Sequence, residues 1–382
     1  MNKEQRKGLR TWIEIDRKAV AHNFSVFRSL ISKKTKLMAV IKSNAYGHSL
    51  IDFAREMENL GANFLGVDSI VEGLALRKEG IKTPILVLGY TLPEMVNLAT
   101  SNNISLSVSN FESLEYIIAN QKHFIKPLNI HIKVDTGMHR QGFQMEDRKK
   151  LLKILSSQKN DNIYVEGLFT HFASAKNPSF PADTEGQIKD FKLWIHDFKQ
   201  EGLKPIAHAG ATAGALLFPN SHFDMVRIGI GLYGLWPSKE TKAALQDKIL
   251  LKPILSWKSL ITEIKKQPKG NRMGYDLTES LAKDGLIAIV PVGYWHGYPR
   301  SLSSIGRMIV KGEECKVIGR VSMDMVCIDV SEVKNLYAGD EVVVIGNDSN
   351  SSCSMEGISN ILDLSWYETI TRINPLIKRF YT

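Results

Sequence analysis

A lysine follows the first short apolar run of the chain, in the segment AVIKSNAYGH (residues 39–48). Placing the ammonium of Lys42 at the end of a buried strand costs free energy unless the amine is paired or takes part in a reaction. One such reaction is a covalent bond to the aldehyde of pyridoxal phosphate, which is favoured when the surroundings lower the pKa of the amine. The alternative is a lysine whose ammonium extends into solvent from the rim of the fold.

A glycine-rich segment, RIGIGLYG (residues 227–234), follows a later apolar run. Gly229, Gly231 and Gly234 fit the dinucleotide pattern GxGxxG, but they end a series of strand–helix units, and no acidic strand end follows about 20 residues later. Glycines after a strand let backbone amides approach an anion. The segment therefore predicts a phosphate site better than a dinucleotide site.

Two further runs end in residues that could bind a substrate or move a proton. In HIKVDTGMHRQGF (residues 131–143), Lys133 and Arg140 follow a strand, and Arg140 could pair with a substrate carboxylate. A surface ion pair is the alternative reading of this arginine. His171, in the segment THFA, is either a base or a hydrogen-bonded structural residue, and the latter is the commoner use of a lone histidine.

These residues need a scaffold that brings strand ends together, and the first 240 or so residues alternate apolar runs with amphipathic stretches. Near-continuous apolar runs are typical of parallel strands covered on both faces. Eight β–α units predict a (β/α)8 barrel, with a doubly wound sheet as the alternative. The predicted strands are Leu37–Ile41, Phe64–Asp68, Pro84–Gly89, Ser105–Ser109, Asn129–Asp135, Tyr164–His171, Pro205–Ala209 and Asp224–Gly229.

The pattern changes after about Lys248, where short alternating runs and Gly-containing turns indicate a mostly β domain. We predict a cofactor-binding barrel over residues 14–245 and a β domain over residues 246–382, which residues 1–13 join. One helix is predicted in the β domain, over Met355–Leu364. In the barrel, Asn110 is predicted to cap a helix that begins after it.

The composition excludes several classes of protein. The 382 residues are 43% hydrophobic and 23% charged, which is typical of a folded globular chain. The three cysteines form no CxxC pair, and no signal peptide or membrane-length apolar run is visible, so we expect a cytoplasmic protein with no metal site and no membrane partner. The net charge of +9 is not gathered into one stripe and accompanies no nucleic-acid motif, so no nucleic-acid partner is predicted.

Seven segments together resemble alanine racemases, and the resemblance runs from TWIEID at Thr11 to the tail at Arg379–Tyr381. It implies a pyridoxal-phosphate enzyme with a barrel and a C-terminal β domain. Such an enzyme works as a homodimer with a composite active site and converts L-alanine to D-alanine for peptidoglycan. The segments, in the order of the family, are AVIKSNAYGH, KVDTGMHR, EGLFTHFA, VRIGIGLYG, GYWHGYPR, GRVSMDM and WYETIT.

The resemblance also implies a role for each matching residue. Lys42 would be the base on the D face of the substrate Cα, and Tyr275 of the partner subunit would be the base on the L face. Arg140 and the backbone amide of Met323 would hold the substrate carboxylate. Lys133, carbamylated in many members, would support Arg140, and Tyr294 would line the entrance. The cofactor would be held by Lys42, Tyr46, His171, Thr212, Arg227, Gly229, Ile230 and Tyr367.

Some positions depart from the usual family pattern. Ala211 and Thr212 replace Asn-Ser, His296 replaces Asp, Gln141 replaces Leu and Ser43 replaces Ala. None of these changes removes a proposed base. They motivate an alternative substrate range, a broader racemase acting on serine or lysine. A non-catalytic pyridoxal-phosphate carrier and a barrel-type decarboxylase are further alternatives, and the β domain with Tyr275 argues against both.

Overall fold

The computed structural model describes residue 4 and residues 6–157, 162–348 and 351–382. It divides into two compact units. The β unit comprises Met1–Val20, Tyr46–Ser49 and Lys252–Thr382, and the barrel unit comprises Ala21–Ala45 and Leu50–Leu251. The N-terminal strand β1 (Thr11–Ile15) belongs to the β unit.

The barrel unit holds a closed ring of eight parallel strands, which confirms the predicted (β/α)8 barrel over the doubly wound alternative. Closure is visible in the pairing of the first barrel strand with the last, where Lys36 lies opposite Met225. Each strand begins and ends within two residues of the limits predicted for it. The strands are β2 (Lys36–Val40), β3 (Phe64–Val67), β4 (Ile85–Val87), β5 (Ile104–Val108), β6 (Leu128–Lys133), β7 (Ile163–Phe169), β8 (Ile206–Ala211) and β9 (Met225–Ile228).

Helices separate these strands in sequence. Asn110 caps one of them as predicted, since its Oδ1 accepts the backbone N–H of Ser113 at 2.8 Å. In the described part of the chain, no helix has the length and apolar character needed to cross a bilayer. The helices are α1 (Arg17–Leu30), α2 (Lys42–Gly47), α3 (Leu50–Asn59), α4 (Ile70–Lys78), α5 (Val96–Ser101), α6 (Phe111–Asn120), α7 (Arg148–Ser157), α8 (Ala182–Gln200), α9 (Thr212–Leu217) and α10 (Lys239–Leu245).

The β unit is built on a nine-stranded sheet and a two-stranded ribbon. In the sheet, β1 lies between an antiparallel and a parallel neighbour, so the N-terminal strand is part of this unit's core. Including the ribbon, the strands are β10 (Leu255–Leu260), β11 (Glu263–Gln267), β12 (Arg272–Met273), β13 (Glu279–Ser280), β14 (Gly285–Val290), β15 (Arg307–Val310), β16 (Glu313–Ile318), β17 (Val326–Asp329), β18 (Glu341–Ile345) and β19 (Arg379–Tyr381).

Two helices follow β18 in the described residues of the β unit, where the sequence predicted one. The first, α11 (Met355–Leu362), ends at Asp363, whose left-handed φ of 50° stops the helix earlier than predicted. The second, α12 (Trp366–Thr371), is only six residues long. So short a segment carries too little periodicity to be recognised from its residues alone.

Candidate active site

Lys42 begins α2, separated by one residue from the end of strand β2, and the residues that follow it form a left-handed turn. Ser43–Tyr46 have φ between 50° and 56°, a region that costs an L residue about 1–2 kcal/mol. Side chains brace the turn, since Asn44 receives a bond from the amide of Leu50 and its own amide donates to Glu72. Strain of this kind is concentrated at functional sites.

An acidic partner that the sequence did not indicate lies beside Lys42. The lysine Nζ is 3.0 Å from Oδ1 of Asp68, the residue that follows β3. Glu72 positions this pair, since it accepts the amide of Asp68 at 2.8 Å as well as the amide of Asn44. The signal that could have found Asp68 is its place at a barrel strand end, where functional residues of this fold lie.

Four cationic side chains share the barrel site: Lys42, Lys133, Arg140 and Arg227. The Lys133 Nζ donates to Oε1 of Gln141 at 3.0 Å. Burial, helped by the charges of Arg140 and Arg227, lowers the pKa of Lys133 to about 8. Cations held this close repel one another, so an anion bound among them would be stabilised.

Arg227 is the best-anchored of these cations, because its guanidinium is buried and donates to three backbone carbonyls. These are the oxygens of Thr170, His208 and Ala209, at 2.8–2.9 Å. The same guanidinium lies 3.2 Å from His171 Nδ1 and 3.0 Å from His208 Nδ1. Burial lowers the pKa of Arg227 to about 9, which leaves it cationic at neutral pH.

His171 is therefore a neutral histidine with a defined tautomer. Burial and the charge of Arg227 lower the pKa of His171 to about 3. Because an arginine only donates, His171 Nδ1 must accept, and the proton lies on Nε2. The ring thus offers one N–H donor away from Arg227.

The predicted phosphate segment brings Thr212 and its glycines together. The amides of Gly229 and Gly231 donate to Oγ1 of Thr212 at 3.1 and 3.4 Å. A Cβ on Gly231 would lie 2.3 Å from Cζ of Phe27, so this position admits only glycine without a shift. Ile230 begins the short turn that follows.

In the β unit, Tyr46 and Tyr367 form a second group of predicted residues. Their ring centroids lie 6.0 Å apart, and burial raises the pKa of Tyr367 above its usual value. A Cβ on Gly47 would lie 2.7 Å from the carbonyl oxygen of Ile370, so the chain after Tyr46 packs closely on α12.

Tyr275, Tyr294 and Met323 lie on exposed loops of the same unit, 67%, 43% and 52% exposed. The amide of Tyr294 donates to the carbonyl of Ser322, beside Met323. The loop of Tyr275 is tied to the same segment by an ion pair between Asp276 and Arg320 at 3.0 Å. These loops expose six large apolar side chains, which we call the apolar loop patch: Tyr275, Leu277, Tyr294, Trp295, Met323 and Met325.

Comparison with known proteins identifies the family of this chain. The model of the alanine racemase N-terminal domain matches residues 15–237, and that of the C-terminal domain matches residues 254–381. The chain belongs to the alanine racemase family. It is therefore an amino-acid racemase, an isomerase.

Relatives extend the alanine racemase match over nearly the whole chain. Alanine racemase 1 of Oceanobacillus iheyensis is 36% identical over 97% of each chain. A solved alanine racemase of Clostridium difficile superposes with a TM-score of 0.91 at 30% identity, covering 98% of this chain and 96% of that one. An alanine racemase of Bacillus anthracis, solved with bound L-Ala-P, has a TM-score of 0.89 at 31% identity over 98% and 95% of the two chains.

One departure from the usual alanine racemase pattern has a clear structural role. His296 Nδ1 accepts the amide of Gly293 at 3.2 Å and so closes the turn that carries Tyr294. Burial lowers the pKa of His296, which keeps Nδ1 free to accept. An aspartate at this position would also offer an acceptor, so the substitution retains the hydrogen bond.

Proposed function

We propose that this racemase interconverts L-alanine and D-alanine with pyridoxal phosphate and two bases on opposite faces of the substrate Cα. The observation that carries the proposal is the group of four cations at the barrel strand ends, with Lys42 among them. Such a group suits an anionic cofactor and an anionic substrate together. The relatives matched over nearly the whole chain are named alanine racemases, so alanine is proposed rather than serine or lysine.

The residues present fit pyridoxal phosphate. An amine for covalent attachment is offered by Lys42, and a fixed cation for the ring nitrogen by Arg227. The amides around Thr212, with Gly229 and Ile230, would hold the phosphate together with the hydroxyls of Tyr46 and Tyr367. When bound, the cofactor supplies a conjugated ring that withdraws electrons from Cα.

Lys42 would act as the base on the D face. Asp68, 3.0 Å from its Nζ, orients the amine. Arg140 would pair with the substrate carboxylate, and the amide of Met323 would add a neutral donor. Lys133 would support Arg140 from behind, with Gln141 fixing its amine.

Tyr275 would act as the base on the L face, supplied by a second copy of the chain. The apolar loop patch supports a homodimer, since exposed aromatic and methionine side chains are enriched in protein interfaces. The Nε2–H of His171 would donate to the phenolic oxygen of Tyr275 of the second copy. Tyr294, on the same patch, would line the entrance.

The proposed setting is the cytoplasm, with D-alanine made for peptidoglycan. The unpaired state of Cys315, Cys327 and Cys353 is in keeping with a reducing compartment.

A racemisation assay over a panel of amino acids tests this function. The wild-type holoenzyme should convert both alanine enantiomers, with kcat/KM at least tenfold above that for serine or lysine. Lys42→Ala should lose both the activity and the visible absorbance of the bound cofactor. A surface control, Lys192→Ala on α8, should keep both. Equal rates on all three amino acids would support the broader racemase instead.

A further inference from the structure

A row of hydrogen-bonded ionisable side chains runs through the interior of the barrel, beyond the predicted site. Glu166 Oε2 lies 3.0 Å from His131 Nε2, and His131 Nδ1 lies 2.9 Å from His208 Nε2. His208 Nδ1 in turn lies 3.0 Å from the guanidinium of Arg227. The four residues come from β7, β6, β8 and β9, so the row joins four barrel strands.

The direction of every bond in this row is determined by its two ends. Arg227 can only donate, so His208 Nδ1 accepts and its proton lies on Nε2. That proton is donated to His131 Nδ1, which leaves the His131 proton on Nε2, facing Glu166. Hydrogen bonds lower the pKa of Glu166 despite its burial, so a carboxylate receives it. Both histidines are neutral, since burial lowers their pKa values.

The surrounding residues fit the row closely. A Cβ on Gly167 would lie 2.0 Å from His131 Nδ1, so only glycine leaves room for the imidazole. Ser105 and Asn129 donate to the two oxygens of Glu166 at 2.7 and 3.2 Å. Barrel interiors are normally filled with branched aliphatic side chains, and a buried ionic row costs desolvation energy. Its presence calls for a role that aliphatic packing does not provide.

We infer that Glu166 and His131 are positioning residues that hold the acceptor nitrogen of His208 toward Arg227 and so orient the guanidinium. The inference rests on the proposed function in one respect, the placement of Arg227 at the cofactor ring. Neither Glu166 nor His131 is among the site residues predicted from the sequence.

Removing the acceptor at Glu166 should set the two ends of the row against each other. In Glu166→Leu the His131 Nε2–H has no acceptor, which favours the tautomer with the proton on Nδ1. That tautomer would require His208 to accept on Nε2 and to point its own proton at the donor of Arg227, so we expect a mixture of the two tautomers. Glu166→Gln should keep the wild-type tautomers, because the amide oxygen still accepts from His131.

Histidine-labelled ¹⁵N NMR tests the row independently of activity. In the wild-type protein both His131 and His208 should be protonated on Nε2, and in Glu166→Leu part of the molecules should carry both protons on Nδ1. Glu166→Gln and the surface control Glu112→Leu should keep the wild-type pattern. A wild-type His208 protonated on Nδ1, or an unchanged pattern in Glu166→Leu, would overturn the inference. The wild-type spectrum tests the inference even if Glu166→Leu fails to fold, because it reports which nitrogen of His208 carries the proton.

Kinetics of the holoenzyme supply the functional half of the test. Loss of the charge-assisted bond at Arg227 in most molecules should lower kcat by about fivefold in Glu166→Leu, with rescue to within about twofold in Glu166→Gln. A changed tautomer pattern with unchanged kcat would overturn the positioning role. A wild-type protein that racemises nothing would instead contradict the proposed function, whatever the tautomers show.

Discussion

Replacing Ser43 by glycine should stabilise the protein, because Ser43 lies in the left-handed turn after Lys42. Its φ is 56° and its side chain is exposed. Relief of the left-handed cost, about 1–2 kcal/mol, is offset by about 0.5–1 kcal/mol of added chain entropy in the unfolded state. The net gain of about 0.5–1 kcal/mol corresponds to a rise in Tm of about 1–4 °C for a unit of this size.

A matched control separates this backbone effect from the loss of a serine side chain. Ser25 is also exposed and lies inside the ordinary helix α1. There glycine should destabilise by about 0.5 kcal/mol, so the two Ser→Gly variants should shift Tm in opposite directions. Differential scanning calorimetry of both holoenzymes measures this. Shifts of the same sign, or a fall in Tm for Ser43→Gly, would refute the left-handed assignment.

Two further predictions concern the glycine segment and the buried histidines. Gly231→Ala would place a Cβ 2.3 Å from Phe27, so it should lower the free energy of unfolding by about 1–3 kcal/mol and weaken cofactor binding. Gly186→Ala on α8, where no atom lies within 4 Å of the new Cβ, should be neutral or stabilising. Calorimetry and cofactor absorbance compare the two variants, and equal shifts in Tm would contradict the packing around Gly231. Because the pKa values of His131, His171 and His208 are lowered in the folded state, the unfolded chain binds more protons below pH 6.5 and stability should fall as the pH drops toward 5. Each of these groups can contribute at most about 1.4 kcal/mol per pH unit to the slope, and unfolding midpoints that stay constant over this range would contradict their burial as neutral rings.

Much of the barrel could be predicted because its strands are apolar runs bounded by turn residues. Closure follows from counting eight such units, and a site at the strand ends follows from the fold. The capped helix after Asn110 could also be predicted, because the cap is a local contact between this side chain and a backbone amide three residues later.

The features that escaped prediction depend on contacts between distant parts of the chain. His131 stands in an alternating run and reads as an ordinary strand residue, yet its partners Glu166 and His208 come from other strands. Asp68 becomes a partner of Lys42 only when β2 and β3 lie side by side. The left-handed turn at Ser43–Tyr46 has no glycine until Gly47, so Asn44 is its only residue of a type that favours positive φ.

The proposal of two bases on opposite faces is tested most directly by exchange of the Cα hydrogen with deuterated solvent, measured separately for L- and D-alanine. In Tyr275→Phe, exchange from L-alanine should fall by at least about 100-fold, the range expected for losing one acid–base group. Exchange from D-alanine should fall less than about tenfold, because Lys42 still serves that face. Equal losses from the two enantiomers would contradict the assignment of one base to each face.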